Sequence, residues 1–234
     1  CSLFGLDPYM AVPFVAILMF CIGAVIQSSL ITPSLGTKSF TNLLFLTVGL
    51  GTLLSNLALV IFGSSFRTIT TSYSSNTVQL GPVTMALPKL ISFVITIIIT
   101  ILLFAFLKYT TLGKQIRAVS QNPIGAEVVG INVKRIYILA YGLGAALAGT
   151  AGALLTLFYV LSPTAGSVFS FRALIVVVVG GLGSIPGALL AGILLGLLET
   201  MVSLLVSPMY KDLIVFVTFI VILVVRQNVI ARRK

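Results

Sequence analysis

Long apolar runs separated by short polar segments make up most of this sequence. Five runs are long enough, or nearly so, for a helix rising about 1.5 Å per residue to cross a hydrocarbon core of about 30 Å. They are residues 9–31, 43–62, 90–107, 136–161 and 188–206. Two further runs, 173–179 and 213–225, are shorter, and the first is too short to cross alone. The pattern predicts an all-α fold: a polytopic α-helical membrane protein with about six or seven membrane segments, one of them short and broken by glycines.

The composition indicates that lipid, and not water, surrounds most of this chain. Of the 234 residues, 59% are hydrophobic and only 8% charged, and the mean hydropathy is +1.22. A soluble domain of this length could not bury so much apolar surface. The net charge of +10 comes from residues in loops and the tail, so it indicates contact with membrane lipid and orientation in the membrane, not binding of nucleic acid. Histidine is absent and the two cysteines, Cys1 and Cys21, lie at the terminus and in an apolar run, so we expect no disulfide framework, metal site or catalytic site.

The placement of charges predicts the orientation of the chain. The loop 108–135 contains five basic residues and one acidic residue, and residues 226–234 contain four basic residues and no acidic residue. Loops rich in lysine and arginine stay on the cytoplasmic side. We therefore expect loop 108–135 and the C-terminus to be cytoplasmic, and the Ser- and Thr-rich segment 63–89 to face outward.

A short helix with caps at both ends is predicted inside the 108–135 loop. Asn122 is a favoured N-cap residue, Pro123 is favoured at the first helical position, and Gly130 suits the end of a helix. Ile124 and Val128 would then share one apolar face. Two interpretations remain open: an element that docks a partner protein, or an ordinary amphipathic connector. The candidate residues are Asn122, Pro123, Ile124, Ala126, Glu127, Val128 and Gly130.

Small residues recur at four-residue spacing in two apolar runs. The first stripe is Gly144, Ala148 and Gly152, with Ala145, Gly149 and Ala153 beside it, and the second contains Gly192 and Gly196. Such stripes let helix backbones approach closely in lipid. Tight helix packing is therefore favoured over direct contact with a substrate.

A glycine-rich break and a single acid mark the last third of the chain. Segment 180–187 lacks the Lys-Ser/Thr pair of a phosphate loop, so we interpret it as a sharp backbone bend. Glu199, the only acid within a predicted span, would mark a pathway, form a pair with Arg172, or be hydrated near an interface. The candidate path and helix-break residues are Gly180, Gly181, Gly183, Ser184, Pro186, Gly187 and Glu199.

Three stretches of the chain resemble the permease subunit of branched-chain amino acid ABC importers of the LivH/LivM type. The first is Gly113-Lys114-Gln115-Ile116-Arg117-Ala118, followed by Asn122-Pro123, Ala126 and Gly130-Ile131-Asn132. The second is Ala148-Gly149-Thr150-Ala151-Gly152. The third is Gly180-Gly181-Leu182-Gly183-Ser184-Ile185-Pro186-Gly187-Ala188, then Gly192, Gly196 and Glu199.

The resemblance implies a subunit of a multi-protein importer in the plasma (inner) membrane. A second permease subunit, identical or homologous, would line the path with this one. Two ABC ATPase subunits, holding ATP and Mg, would dock on the 108–135 coupling loop through the 122–130 helix. An extracytoplasmic substrate-binding protein would deliver branched-chain or other hydrophobic amino acids. The chain itself would then be no enzyme and would hold no cofactor.

Two alternatives remain open at the level of sequence. The superfamily also contains permeases for amides, urea and sugars, and an ion-coupled secondary transporter could use Glu199. Family members usually begin with one or two further membrane helices. We therefore expect residues 1–234 to form a single importer transmembrane domain that lacks N-terminal helices.

Overall fold

The computed structural model describes residues 8–34, 40–63, 77–80, 83–159, 165–181, 183–205, 210, 213–220, 222 and 224. Helices dominate these ranges, and five of them are long and apolar enough to cross a membrane: Tyr9–Ile31, Thr41–Ile61, Leu87–Tyr109, Val133–Leu155 and Ile185–Leu205. A sixth apolar helix, Ala165–Gly180, is shorter. The predicted polytopic α-helical membrane fold is thereby confirmed. The basic tail after residue 225 lies outside the described residues.

The described elements follow the chain in a simple order. The first unit contains α1 (Pro8–Ile26), a π-helical turn (Gln27–Ile31), α2 (Thr32–Ser34), α3 (Phe40–Phe62), β1 (Thr77–Leu80), β2 (Val83–Ala86), α4 (Leu87–Tyr109), α5 (Thr111–Gln121), α6 (Pro123–Val128) and α7 (Val133–Leu155). The second unit contains α8 (Ala165–Gly180), α9 (Ile185–Leu205) and a helical segment at residues 213–220. The units divide as Cys1–Pro163 and Thr164–Lys234.

Two features of the first unit differ from the hydropathy pattern. The apolar run 136–161 continues past the helix, because α7 ends at Leu155 and Leu157, in the turn that follows, is buried in the core. The segment predicted as an outward loop contains an antiparallel hairpin, in which Val78 pairs with Met85 and Gln79 with Thr84. Each strand has four residues, and an isolated two-stranded hairpin is at best marginally stable in water.

The core of the first unit lies where α1 packs along α7. Val12 of α1 and Leu154 of α7 are buried together with Leu157, and Ile95 of α4 packs against them. By contrast, the α3 window Thr41–Ile61 has none of its residues buried. In lipid, an apolar helix needs no protein cover, because its backbone hydrogen bonds are all internal.

The second unit has its own small core. Ile175 of α8, Leu195 of α9 and Val215 of the 213–220 segment are buried against one another. Val176, Val179 and Phe219 pack around them. This core fixes α8 beside α9 and thereby positions the polar side chains that the two helices carry.

Candidate functional site

A fixed corner joins α4 to α5 on the side of the chain where the basic residues cluster. The Thr110 hydroxyl donates to the Phe106 carbonyl at 2.6 Å and accepts from the Gly113 N–H at 3.0 Å. A Cβ at Gly113 would lie 2.5 Å from the Leu107 Cα and from the Phe106 oxygen, so only glycine lets α5 begin this close to α4. A third hydrogen bond links the two helices, because an Arg117 Nη donates to the Lys108 carbonyl at 3.4 Å. These bonds hold α5 at a defined angle to the membrane helix.

The predicted short helix is present as α6, Pro123–Val128, and is capped at both ends. At its start the Asn122 Oδ1 accepts from the Gly125 N–H at 2.9 Å. At its end the Ile131 N–H donates to the Ala126 carbonyl and the Gly130 N–H donates to the Glu127 carbonyl, both at 3.0 Å. This pair of bonds is a Schellman motif, and it requires the left-handed backbone of Gly130, whose φ is +84°.

A small apolar core seats α6 between α5 and α7. Val119 of α5, Ala126 of α6 and Ile136 of α7 are buried together at 2%, 4% and 4% exposure. Ile131 packs against this cluster and so supplies the apolar contact that usually accompanies a Schellman cap. The inner face of α6 is therefore locked to two longer helices, α5 and α7.

The outer face of α6 is apolar and open. Ile124 is 77% exposed and Val128 is 82% exposed, and their four-residue spacing puts them on one side of the helix. Val129, which the sequence analysis did not single out, is 74% exposed beside them, and Glu127 is also exposed. Exposed apolar patches of this kind are found where a protein contacts another protein, a membrane or a ligand. The sequence signal for Val129 was the pair of adjacent valines, Val128-Val129, in the basic loop.

The glycine-rich segment forms a close turn between α8 and α9. Gly181 and Gly183 have positive φ of +94° and +88°, and the Ser184 Oγ caps α9 by accepting from the Gly187 N–H at 3.1 Å. A Cβ at Gly180 would lie 2.5 Å from the carbonyl carbon of Gly187. Pro186 occupies the first turn of α9, where a missing N–H costs little. The predicted backbone bend is present, and its glycines let two helix ends touch.

Glu199 of α9 is paired with Arg172 of α8. The Arg172 Nη1 and the Glu199 Oε2 are 3.7 Å apart, with side-chain exposures of 24% and 16%. The guanidinium also lies 5.9 Å from the centroid of the Phe169 ring. Of the alternatives stated for Glu199, the paired charge is the arrangement present. Pairing is what an acid on an apolar helix requires.

A cleft of about 160 Å³ has Arg172, one member of this ion pair, in its wall. Arg172 is the polar member of the described lining, and the remaining lining is apolar: Val168, Phe171, Ile175, Val215 and Phe216. The cleft lies wholly within the second unit. Within the described ranges, no three Cys, Asp or Glu side chains lie close enough to hold a metal ion.

The small residues of α7 fall into two groups, of which one contacts α1 and the other faces away from the described residues. A Cβ at Gly144, Gly152 or Gly196 would meet open space among the described residues, and one at Gly192 would meet Val176 at 3.8 Å. Ala148 is exposed. The close contact with α1 is made by Ala145 and Gly149 of the neighbouring predicted stripe, together with Gly142. Packing of the Gly144 and Gly196 stripes against another chain stays a prediction.

A buried amide at the end of α1 was not anticipated. Gln27 is 4% exposed and opens the π-helical turn Gln27–Ile31. Such turns often occur at functional positions in helices. The sequence carried a signal, because Gln27-Ser28-Ser29 is a polar triplet inside an apolar run.

Comparison with known proteins places these features in a family. The family model "Branched-chain amino acid transport system / permease component" matches residues 2–223. The permease LivH of Escherichia coli K12, from a high-affinity branched-chain amino acid transport system, is 37% identical over 133 residues, which cover 56% of this chain and 43% of LivH. The chain thus spans less than half the length of that relative.

Two further relatives extend the comparison. The permease BraD of Pseudomonas aeruginosa, from a high-affinity branched-chain amino acid transport system, is 31% identical over 191 residues, or 80% of this chain and 62% of BraD. The ribose import permease RbsC of Escherichia coli K12 is 33% identical over 129 residues, or 52% of this chain and 40% of RbsC. No solved structure matched the chain. Because the family model covers nearly all of the sequence, this chain belongs to the permease components of branched-chain amino acid transport systems.

Proposed function

We propose that this chain is the transmembrane permease subunit of an ATP-driven importer for branched-chain and other hydrophobic amino acids. The observation that carries the proposal is α6, which is capped at both ends and seated on α5 and α7 while Ile124 and Val128 face outward. Such a helix suits a subunit that another protein pushes or pulls. The substrate class follows the printed names of LivH and BraD.

In the proposed importer, two ABC ATPase subunits that bind ATP and Mg dock on loop 108–135 at the cytoplasmic face. Ile124 and Val128 would enter a groove on an ATPase subunit, and Glu127 would meet a basic or amide group at its rim. A movement of α6 would pass through Ala126 to Val119 of α5 and Ile136 of α7. The corner at Thr110 and Gly113 would carry the movement on to α4.

The rest of the proposed assembly follows from the orientation of the chain in the inner membrane. With the basic loop and the C-terminus in the cytoplasm, the β1–β2 hairpin would face outward, toward an extracytoplasmic substrate-binding protein. A second permease subunit, identical or homologous, would cover apolar helix faces that this chain leaves open, including α3. The α8–α9 turn and Glu199 would border the translocation path.

The ion-coupled alternative has less support. In an ion-coupled transporter, an acidic side chain inside the membrane commonly binds the coupling proton or cation. Glu199, the candidate for that role, is paired with Arg172 in the described structure.

Uptake into vesicles distinguishes these functions. The full importer, with its ATPase subunits and binding protein, is reconstituted into vesicles. The uptake of radiolabelled L-leucine and of radiolabelled ribose is then measured. We expect leucine uptake that requires ATP and persists with a protonophore. Uptake that the protonophore abolishes, or uptake of ribose in place of leucine, would contradict the proposal.

A further inference from the structure

Two opposite charges meet in the second unit at a distance longer than that of a direct charge-assisted hydrogen bond. The 3.7 Å between the Arg172 and Glu199 atoms exceeds the roughly 2.7–2.9 Å of a charge-assisted hydrogen bond. Both side chains keep part of their surface accessible, 24% for Arg172 and 16% for Glu199. The Phe169 ring lies against the guanidinium and helps to fix its position. The pair is therefore held in place yet reachable.

The cleft that Arg172 borders has the size and lining for a small apolar group. Its volume of about 160 Å³ is below the roughly 300–1,000 Å³ of pockets that take drug-sized ligands. Arg172 lies at its wall, and the aromatic and aliphatic side chains of Phe171, Ile175 and Val215 supply the apolar surface. A solute that combines charge with a short hydrocarbon side chain matches this combination.

We propose that Arg172 and Glu199 form a binding site for a zwitterionic hydrophobic amino acid on its way through the membrane. Arg172 binds the α-carboxylate, Glu199 binds the α-ammonium, and the side chain of the substrate occupies the cleft. The proposal rests on the proposed importer function and adds to it the residues that recognise the substrate.

Charge balance selects a zwitterion over other small solutes. When a zwitterion enters between the two side chains, the Arg172–Glu199 contact is replaced by two contacts between opposite charges, so each charge of the solute gains a counter-charge in a medium of low dielectric. A carboxylate without an ammonium would offer Arg172 a counter-charge but offer Glu199 none, and an amine would offer one to Glu199 but none to Arg172. A neutral sugar would separate the pair and supply no charge in return.

Cysteine protection tests the site directly in the assembled importer. Val168, which lines the cleft and is 48% exposed, is changed to Cys in a background with Cys1→Ser and Cys21→Ser. We expect L-leucine to slow its modification by a thiol reagent by about tenfold, the effect of a site that is mostly occupied. The same concentrations of 4-methylpentanoate, which lacks the ammonium, and isopentylamine, which lacks the carboxylate, should not protect it. Leu174→Cys, on the same helix outside the lining, is the unprotected control.

Charge variants then link protection to the two residues. In the Val168→Cys background, Arg172→Gln or Glu199→Gln should abolish protection by leucine, while Arg172→Lys should retain part of it. A purely structural ion pair predicts that the reversed pair, Arg172→Glu with Glu199→Arg, restores transport. The proposed site predicts that it does not, because the reversed charges would direct the substrate side chain away from the cleft.

A size variant covers the case in which charge variants fail to assemble. Val168→Phe fills the mouth of the cleft without removing a charge, and should lower uptake of leucine about tenfold relative to alanine. An unchanged leucine-to-alanine ratio, or equal protection by leucine and both analogues, would overturn the site while leaving the importer function standing. Absence of leucine uptake by the unmodified importer would instead refute the proposed function and the site with it.

Discussion

Gly180 and Gly187 bring the end of α8 and the start of α9 into backbone contact. A Cβ added to Gly180 would lie 2.5 Å from the Gly187 carbonyl carbon and 2.6 Å from the Ala188 Cα. A Cβ added to Gly187 would overlap the Gly180 carbonyl oxygen and meet the Ser184 Oγ at 2.9 Å. The two glycines therefore set how closely the helices of the second unit can approach at their turn.

Gly180→Ala is expected to destabilise the second unit, because the added methyl group meets backbone that cannot rotate away. Overpacking of this kind typically costs about 1–3 kcal/mol. The free energy of unfolding in detergent would be compared with that of Gly196→Ala. Gly196 also lies in a helix but faces open space, so alanine there should be neutral or stabilising by up to about 1 kcal/mol. Equal free energies of unfolding for the two variants would show that the backbone near Gly180 can shift to accommodate the added methyl group.

The caps of α6 should control how often this helix opens. Asn122→Ala removes the side chain that accepts from Gly125 and should cost about 1 kcal/mol of helix stability. Hydrogen exchange of the amides at residues 125–131 would then quicken by about fivefold. Asn132→Ala, which removes the equivalent bond to Arg135 at the start of α7, is the matched control. Its effect should fall on α7, and faster exchange in α6 alone after that change would contradict the assignment of the caps.

The sequence predicted the parts of this fold that depend on local chemistry. The span Tyr9–Ile31 matched its apolar run because the length of such a run directly limits a membrane helix. The α6 caps were predictable from Asn122, Pro123 and Gly130, because each acts on backbone groups within a few residues. The bend at 180–187 follows in the same way from its glycines.

Features that depend on which helices become neighbours were not predictable from spacing. Gly144 and Gly149 belong to adjacent stripes of α7, and only contact with α1 distinguishes them. Likewise, Arg172 was one of three alternatives for Glu199, because their pairing requires α8 to lie beside α9. Rotating a helix about its own axis changes which residues contact its neighbours, but it leaves the hydropathy pattern of the sequence unchanged.

Accessibility of single cysteines should report the orientation of the first unit. In a background with Cys1→Ser and Cys21→Ser, Ser120→Cys lies on α5 and is exposed, and Tyr159→Cys lies beyond the other end of α7 and is 45% exposed. We expect a membrane-impermeant thiol reagent to label residue 159 in intact cells. Residue 120 should be labelled only after the cells are permeabilised. Labelling of residue 120 from outside would reverse the orientation inferred from the basic loop.

The outer face of α6 should determine association with the ATPase subunits. Burying the exposed Ile124 side chain would contribute at most about 1.5–3 kcal/mol, so Ile124→Asp should weaken association by about tenfold or more. Val128→Pro should break the helix at a cost of about 3 kcal/mol. Both variants should insert into the membrane normally, because neither change lies in a spanning helix. Ile124→Val keeps the apolar face and is the matched control for the first variant. The amount of co-purified ATPase and the ATP-dependent uptake of leucine would be measured together. Normal uptake with either disruptive variant would contradict a coupling role for α6 and indicate that it only connects α5 to α7.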